Sequence, residues 1–195
     1  MALNITTSDA VLVSNYINGK EYALSLLIEK HQSKIYGFIY SKVSDKDVTD
    51  DIFQDTFMKV IRTLKSNSYN EEGKFLPWVM RIAHNLTVDY FRNNKKMPVQ
   101  RDTEEFSVFS ILQDNTPNVE NQIIDLQIEN DLKKVIEELP DDQKEVLIMR
   151  IYQDLSFKEI SEITGVSINT ALGRMRYALM NIRKIIEKKK LILTQ

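Results

Sequence analysis

Apolar residues recur at helical spacing over two long regions of the chain and lose that rhythm between them. In the first region, from about Tyr22 to Lys96, Ala23, Leu26 and Leu27 open a helix that continues through Ile35, Phe38 and Ile39. Phe53, Phe57, Val60 and Leu64, spaced i, i+4, i+7, i+11, put one apolar face on a second helix. Its opposite side carries Asp51, Gln54, Asp55 and Lys59, and the acids of the Asp47-Val-Thr-Asp50 stretch suit its first turn. A polar loop, 66–74, follows. A third helix is expected to start near Pro77, since proline fits a first turn. Trp78, Ile82, Leu86 and Tyr90 are its expected buried stripe, with Arg81, Asn85, Asp89, Arg92 and Lys96 on another face.

The second region runs from about Val119 to Ile192. Ile124, Ile128, Leu132, Val135 and Leu139 mark one helix, which Pro140-Asp141-Asp142 ends before a next helix with Val146, Leu147 and Ile151. Ser156 and Glu159 then have the spacing of a capping box, serine at N-cap and glutamate at N3, ahead of a short helix from Phe157 to Ile163. Gly165 can supply the positive φ of a tight turn, and Ser167 caps a last long helix reaching toward Lys190. Between the regions, 97–118 holds Pro98 and Pro117, many polar residues and little periodicity, and reads as a linker. Extended at about 3.3 Å per residue it would reach roughly 70 Å. Its few apolar residues, Phe106, Val108, Phe109, Ile111 and Leu112, suggest that part of it docks.

Composition supports an all-α fold. Only 5 glycines and 4 prolines occur in 195 residues, too few for the turns of a β-rich chain. A hydrophobic fraction of 43% suffices for one or two small cores. The expected organisation is an N-terminal extension (1–20), a helical domain (21–96), a flexible acidic linker (97–118) and a second helical domain (119–195). The absence of cysteine excludes disulfides and thiolate metal sites and fits a reducing cytosol. The first residues lack a basic n-region and carry Asp9, so no signal peptide is expected; no apolar run is long enough to insert into a membrane.

The formal net charge of −2 argues against nucleic-acid binding only until it is divided along the chain. From Lys74 to Arg101, six basic residues face Asp89 alone; from Asp102 to Asp142, twelve acids face Lys133 and Lys134; from Gly165 to Gln195, seven basic residues face Glu187. Two basic patches flank an acidic stretch. Each patch can neutralise phosphates locally, or be a solvated helix face.

The segment 156–176 has the layout of a helix-turn-helix: a capped short helix, a glycine turn and a second capped helix, with Ile160, Ile163 and Val166 as the apolar clamp. Ser167, Asn169 and Thr170 open the second helix at the end that enters a major groove, and Arg174 and Arg176 follow within reach of phosphates or guanine edges. An ordinary helical hairpin is the bland alternative.

At these residues the chain resembles a known family. Glu138-Leu-Pro-Asp-Asp-Gln-Lys-Glu-Val-Leu-Ile-Met-Arg150 with the helix-turn-helix is similar to the fourth conserved region of sigma-70-type factors. Asp50-Asp-Ile-Phe-Gln-Asp-Thr-Phe57 resembles the family's D-x-x-Q-x-x-F helix, and Phe75 to Tyr90 its promoter-reading segment. The order fits the extracytoplasmic-function subfamily, with regions 2 and 4 alone, over about Glu21–Lys96 and Leu132–Ile186. The resemblance implies a non-enzymatic initiation factor of the cytoplasm, with neither metal nor cofactor. It implies docking on core RNA polymerase (β′ clamp helices and β flap) through Asp51, Gln54, Asp55 and Phe57. It implies −10 contacts from Asn67, Tyr69, Asn70, Lys74, Arg81, His84, Asn85, Asp89 and Arg92. The −35 contacts are Ser167, Asn169, Thr170, Arg174 and Arg176, and an anti-sigma factor is an implied further partner. Ala171-Leu172-Gly173 departs from the family's more common Val-basic-Ser and leaves the −35 sequence open. The other reading is a stand-alone helix-turn-helix regulator binding an operator.

Overall fold

A computed structural model describes residues 7–70, 72–94 and 131–190. The chain divides into two compact units, Met1–Glu104 and Glu105–Gln195. The expected linker, 97–118, and the Ile124 and Ile128 turns lie outside the described residues, as do Lys95 and Lys96.

The first unit contains α1 (Asp9–Ile17), α2 (Tyr22–Val43), α3 (Lys46–Lys65) and α4 (Phe75–Asn94). The central helix is α2, which packs against the other three. Leu27, Ile35, Phe38 and Ile39 on α2 are wholly buried, with Val60 of α3 and Val79, Met80 and Ala83 of α4. Asp45 caps α3 by accepting the Val48 N–H at 2.9 Å, satisfying a donor that the first helical turn leaves open.

Two features differ from the sequence expectation. The 1–20 stretch, read as an extension, contains α1, whose Leu12, Val13 and Tyr16 are buried against α2 and α3. On α4 the core face is Phe75, Val79, Met80, Ala83 and Thr87, while Trp78, Ile82, Leu86 and Tyr90 lie half-buried beside it. Ala83 is small enough for close helix approach. Thr87 hides its hydroxyl by donating to the Ala83 carbonyl at 2.8 Å, so a polar residue stands on the core face at little cost. The helix also begins earlier than expected. The Trp78 N–H reaches the Lys74 carbonyl at 3.1 Å, which sets Pro77 inside the first turn, where a missing N–H removes no helical bond.

Asp9 joins α1 to α2. Its Oδ1 accepts from Lys30 Nζ and its Oδ2 lies against His31 Nε2, both at 2.8 Å. Burial alone would raise this carboxyl; the hydrogen bonds from His31 and Lys30, with their positive charge, outweigh burial and hold it at about 2 instead of 3.8. The folded value lies below the unfolded one. The contribution is therefore complete above about pH 4 and fades as pH falls toward 2. The expected outcome is a gap in melting temperature between wild type and Asp9→Asn that narrows as pH falls from about 4 toward 2. Thermal circular dichroism checks it; a gap constant with pH would contradict it.

The second unit has a helical segment at 131–137, then α5 (Asp141–Ile151), α6 (Phe157–Thr164) and α7 (Ile168–Lys189), each of the three packed on the other two. Val135, Val146, Met149, Ile160, Ala171 and Ala178 are wholly buried in its core. The capping box is formed: the Glu159 N–H donates to Ser156 Oγ at 3.3 Å, and the Ser156 N–H to Glu159 Oε2 at 2.8 Å. Gly165 has φ +71° at the turn, and Ser167 caps α7 by accepting the Thr170 N–H at 3.1 Å.

Candidate nucleic-acid interface

Three surfaces carry the chemistry expected from the sequence. The first is the outer side of α3. Asp51, Gln54 and Asp55 are exposed there, on one flank of a helix whose other flank is core. Phe57 is not on that surface. It is 6% exposed and packs against Phe53 with ring centroids 4.9 Å apart, so it supports the acidic face from behind. Asp50, next to that face, accepts a hydrogen bond from Tyr36 Oη at 2.7 Å, which ties the N-terminal turns of α3 to α2. Burial, followed by that bond and the nearby acids, raises the Tyr36 phenol well above its ordinary value.

The second surface is the 66–74 loop with the outer side of α4. Asn67, Asn70 and Lys74 are exposed, and Asn67 adopts a left-handed backbone at φ 53°, which asparagine tolerates better than most residues. Asn70 Nδ2 donates to Glu72 Oε1 at 3.0 Å. Tyr69 is half-buried, its ring 4.3 Å from the Trp78 ring and 6.4 Å from that of Phe75. On α4, Arg81, Asn85 and Arg92 are exposed at i, i+4 and i+11 and share a face.

Two further residues expected here are only half-exposed. Asp89 pairs with Arg92 at 3.0 Å; it orients a cation, and as an anion it repels phosphate itself. His84 is half-buried, its ring 6.4 Å from the Phe38 ring.

The third surface is the start of α7. Ser167, Asn169, Thr170 and Arg176 are exposed. Arg174 is drawn toward α5, its Nε 3.2 Å from Asp142 Oδ2, with 26% of its side chain exposed. Leu172 is 44% exposed, and a Cβ added at Gly173 would meet nothing within 4 Å. This end of α7 therefore presents small polar residues beside the exposed Ile168 and Leu172, bordered by Arg176.

Residues 27–97 match the family model for Sigma-70 region 2, and residues 129–180 that for Sigma-70 region 4. Together the two matches take in more than half of the chain. The chain belongs to the sigma-70 family, as an RNA polymerase sigma factor of the ECF group. This sigma factor is 29% identical over 188 residues to the ECF RNA polymerase sigma-E factor of Haemophilus influenzae, covering 93% of this chain and 95% of the relative. It is 28% identical over 171 residues to the ECF RNA polymerase sigma factor SigW of Bacillus subtilis, covering 85% and 90%. Among solved structures, CnrH in complex with the cytosolic domain of CnrY shares the fold at TM-score 0.66 and 18% identity, over 93% of this chain and 99% of that one. The sigma factor RpoE of Bartonella quintana, crystallised with the anti-sigma factor NepR, does so at TM-score 0.59 and 20% identity, over 86% and 98%. A region 2 match beside region 4 leaves the stand-alone operator-binding regulator without support. Sigma factors of this family are non-enzymatic initiation factors, and no helix among the described residues is long and apolar enough to cross a membrane.

Proposed function

We propose that this sigma factor docks on core RNA polymerase through Asp51, Gln54 and Asp55 on the β′ clamp helices and through its second domain on the β flap. It then opens promoter DNA in the cytoplasm without catalysing a reaction itself. The proposed division is region 2 over 21–96, a linker over 97–118 and region 4 over 119–195. In region 2, Asn67, Tyr69, Asn70, Lys74, Arg81, Asn85 and Arg92 hold the −10 element. A basic surface tracks the phosphates of an unpaired strand, and a polar loop beside stacked rings can receive an extruded base. In region 4, Ser167, Asn169, Thr170 and Arg176 meet the −35 element in the major groove.

The observation that carries this reading is the pairing, within one small unit, of an exposed acidic face on α3 with a cationic face on α4. An acidic helix face suits a protein partner and repels phosphate; the cationic one does the reverse. Both structural relatives were solved in complex with partners, the cytosolic domain of CnrY and the anti-sigma factor NepR, and an anti-sigma factor covering the same surfaces is proposed here. The deciding experiment is run-off transcription with purified core polymerase over a library of genomic fragments. Discrete transcripts that require both proteins support the reading; none on any fragment overturns it.

The ion pair to Asp142 separates the two arginines of α7. Arg176→Ala is expected to weaken −35 binding by about 1–3 kcal/mol if its fork meets a guanine. Arg174→Ala is expected to cost less in promoter affinity and to lower the stability of the second domain. Electrophoretic mobility shift with holoenzyme and thermal denaturation check the pair; the opposite ranking would place Arg174 on DNA.

A further inference from the structure

The charged cluster that fastens α1 is connected to the −10 loop through the core. Beyond its bond to Asp9, Lys30 Nζ donates to the Thr7 carbonyl at 3.1 Å, so the carboxylate is held by a cation anchored at both ends of the contact. His31 is 7% exposed, and its ring lies 5.8 Å from that of Phe75. Phe75, 1% exposed, opens α4 and packs 5.8 Å from the Trp78 ring and 6.4 Å from the Tyr69 ring. Tyr69 and Trp78 are in turn 4.3 Å apart. An unbroken series of contacts thus runs from a carboxylate on α1, through a buried imidazole on α2, to the rings beneath the 66–74 loop.

We propose that Asp9 and His31 are positioning residues for that loop: the carboxylate fixes the plane of the imidazole, the imidazole seats Phe75, and Phe75 sets Tyr69 and Trp78 in the arrangement that receives an unpaired promoter base. The function assigned to the loop rests on the −10 reading above; the mechanical link does not. A buried side chain keeps a single rotamer when packing and a hydrogen bond agree, and supporting residues of this kind hold contact residues in working geometry. α1 has its own apolar attachment through Leu12, Val13 and Tyr16. Packing and the carboxylate thus hold the helix by separate means, and each can be removed without the other.

Trp78 is the sole tryptophan of the chain, so its emission reports on the far end of the series. Two variants of the full-length protein separate positioning from stability. Asp9→Asn removes the charge and one of the two acceptor oxygens, weakening the link while keeping the shape of the side chain. Leu12→Ala loosens the same helix by packing alone. Three quantities are read: the melting temperature, Trp78 emission well below it, and holoenzyme binding to a fork template whose −10 strand is unpaired. Asp9→Asn is expected to shift Trp78 emission and to weaken fork binding roughly three- to tenfold. Leu12→Ala is expected to lower the melting temperature at least as far with both other signals unchanged. If the two variants change all three in proportion to lost stability, or if Asp9→Asn leaves Trp78 emission as in wild type, the proposal is wrong. Should wild-type holoenzyme not hold the fork, it is the −10 reading that fails, and the emission comparison alone decides whether Asp9 positions the loop.

Discussion

Asp55→Lys is expected to weaken association with core RNA polymerase by about 10–100-fold, equivalent to about 1.4–2.8 kcal/mol, while leaving the melting temperature of the protein unchanged. Asp55 lies mid-way along α3 with its side chain exposed, too far from either end to feel the helix dipole. Reversing its charge therefore asks little of the fold. Across an interface the same change sets like charge against a cationic partner and removes the steering that brings the two together. Fluorescence anisotropy of labelled sigma factor against core enzyme measures the effect, and raised salt should shrink the difference between wild type and variant. Unchanged affinity would remove the α3 face from the docking surface and move attention to other exposed acids.

The second large effect is expected in stability. Phe75→Ala removes a ring that is 1% exposed and contacts His31, Tyr69 and Trp78. Truncating a buried phenylalanine costs about 3–5 kcal/mol through lost transfer energy and the cavity left behind. Small domains have only about 5–15 kcal/mol in hand. A fall in the melting temperature of the first unit of more than about 10 °C follows for a domain of this size, together with a red-shifted Trp78 emission as water reaches the indole. Differential scanning calorimetry and fluorescence measure both. A fall of only a few degrees would mean that the neighbouring rings close over the vacancy.

The parts of this fold that were legible in the sequence are those set by local chemistry. Ser156 with Glu159, Gly165 and Ser167 each act within four residues of themselves, and all of them do in the structure what their types require. The stripe of Phe53, Phe57, Val60 and Leu64 was legible because large apolar residues on α3 coincide with its core side. On α4 the same logic selects Trp78 and Tyr90 over Ala83 and Thr87. The choice is wrong because a core position can be defined by close approach and a locally satisfied hydroxyl as well as by size. α1 escaped notice for a different reason. Its anchoring pair joins residues 22 apart in sequence, and no periodicity encodes such a pairing. Asp142 likewise captures Arg174 across 32 positions (counted from the numbering), so a residue type suited to DNA is partly engaged within its own domain. Asp9 and His31 stand in the sequence without any pattern that joins them, and the pairing rule that links them is three-dimensional.

That the two units have separate cores bears on how damage to this molecule is detected. Its one indole sits in the first unit. Heating or urea followed at that wavelength reports on the first unit, whereas α6 lies in the second. A single melting temperature is not well defined for a chain of two domains unless each has its own probe.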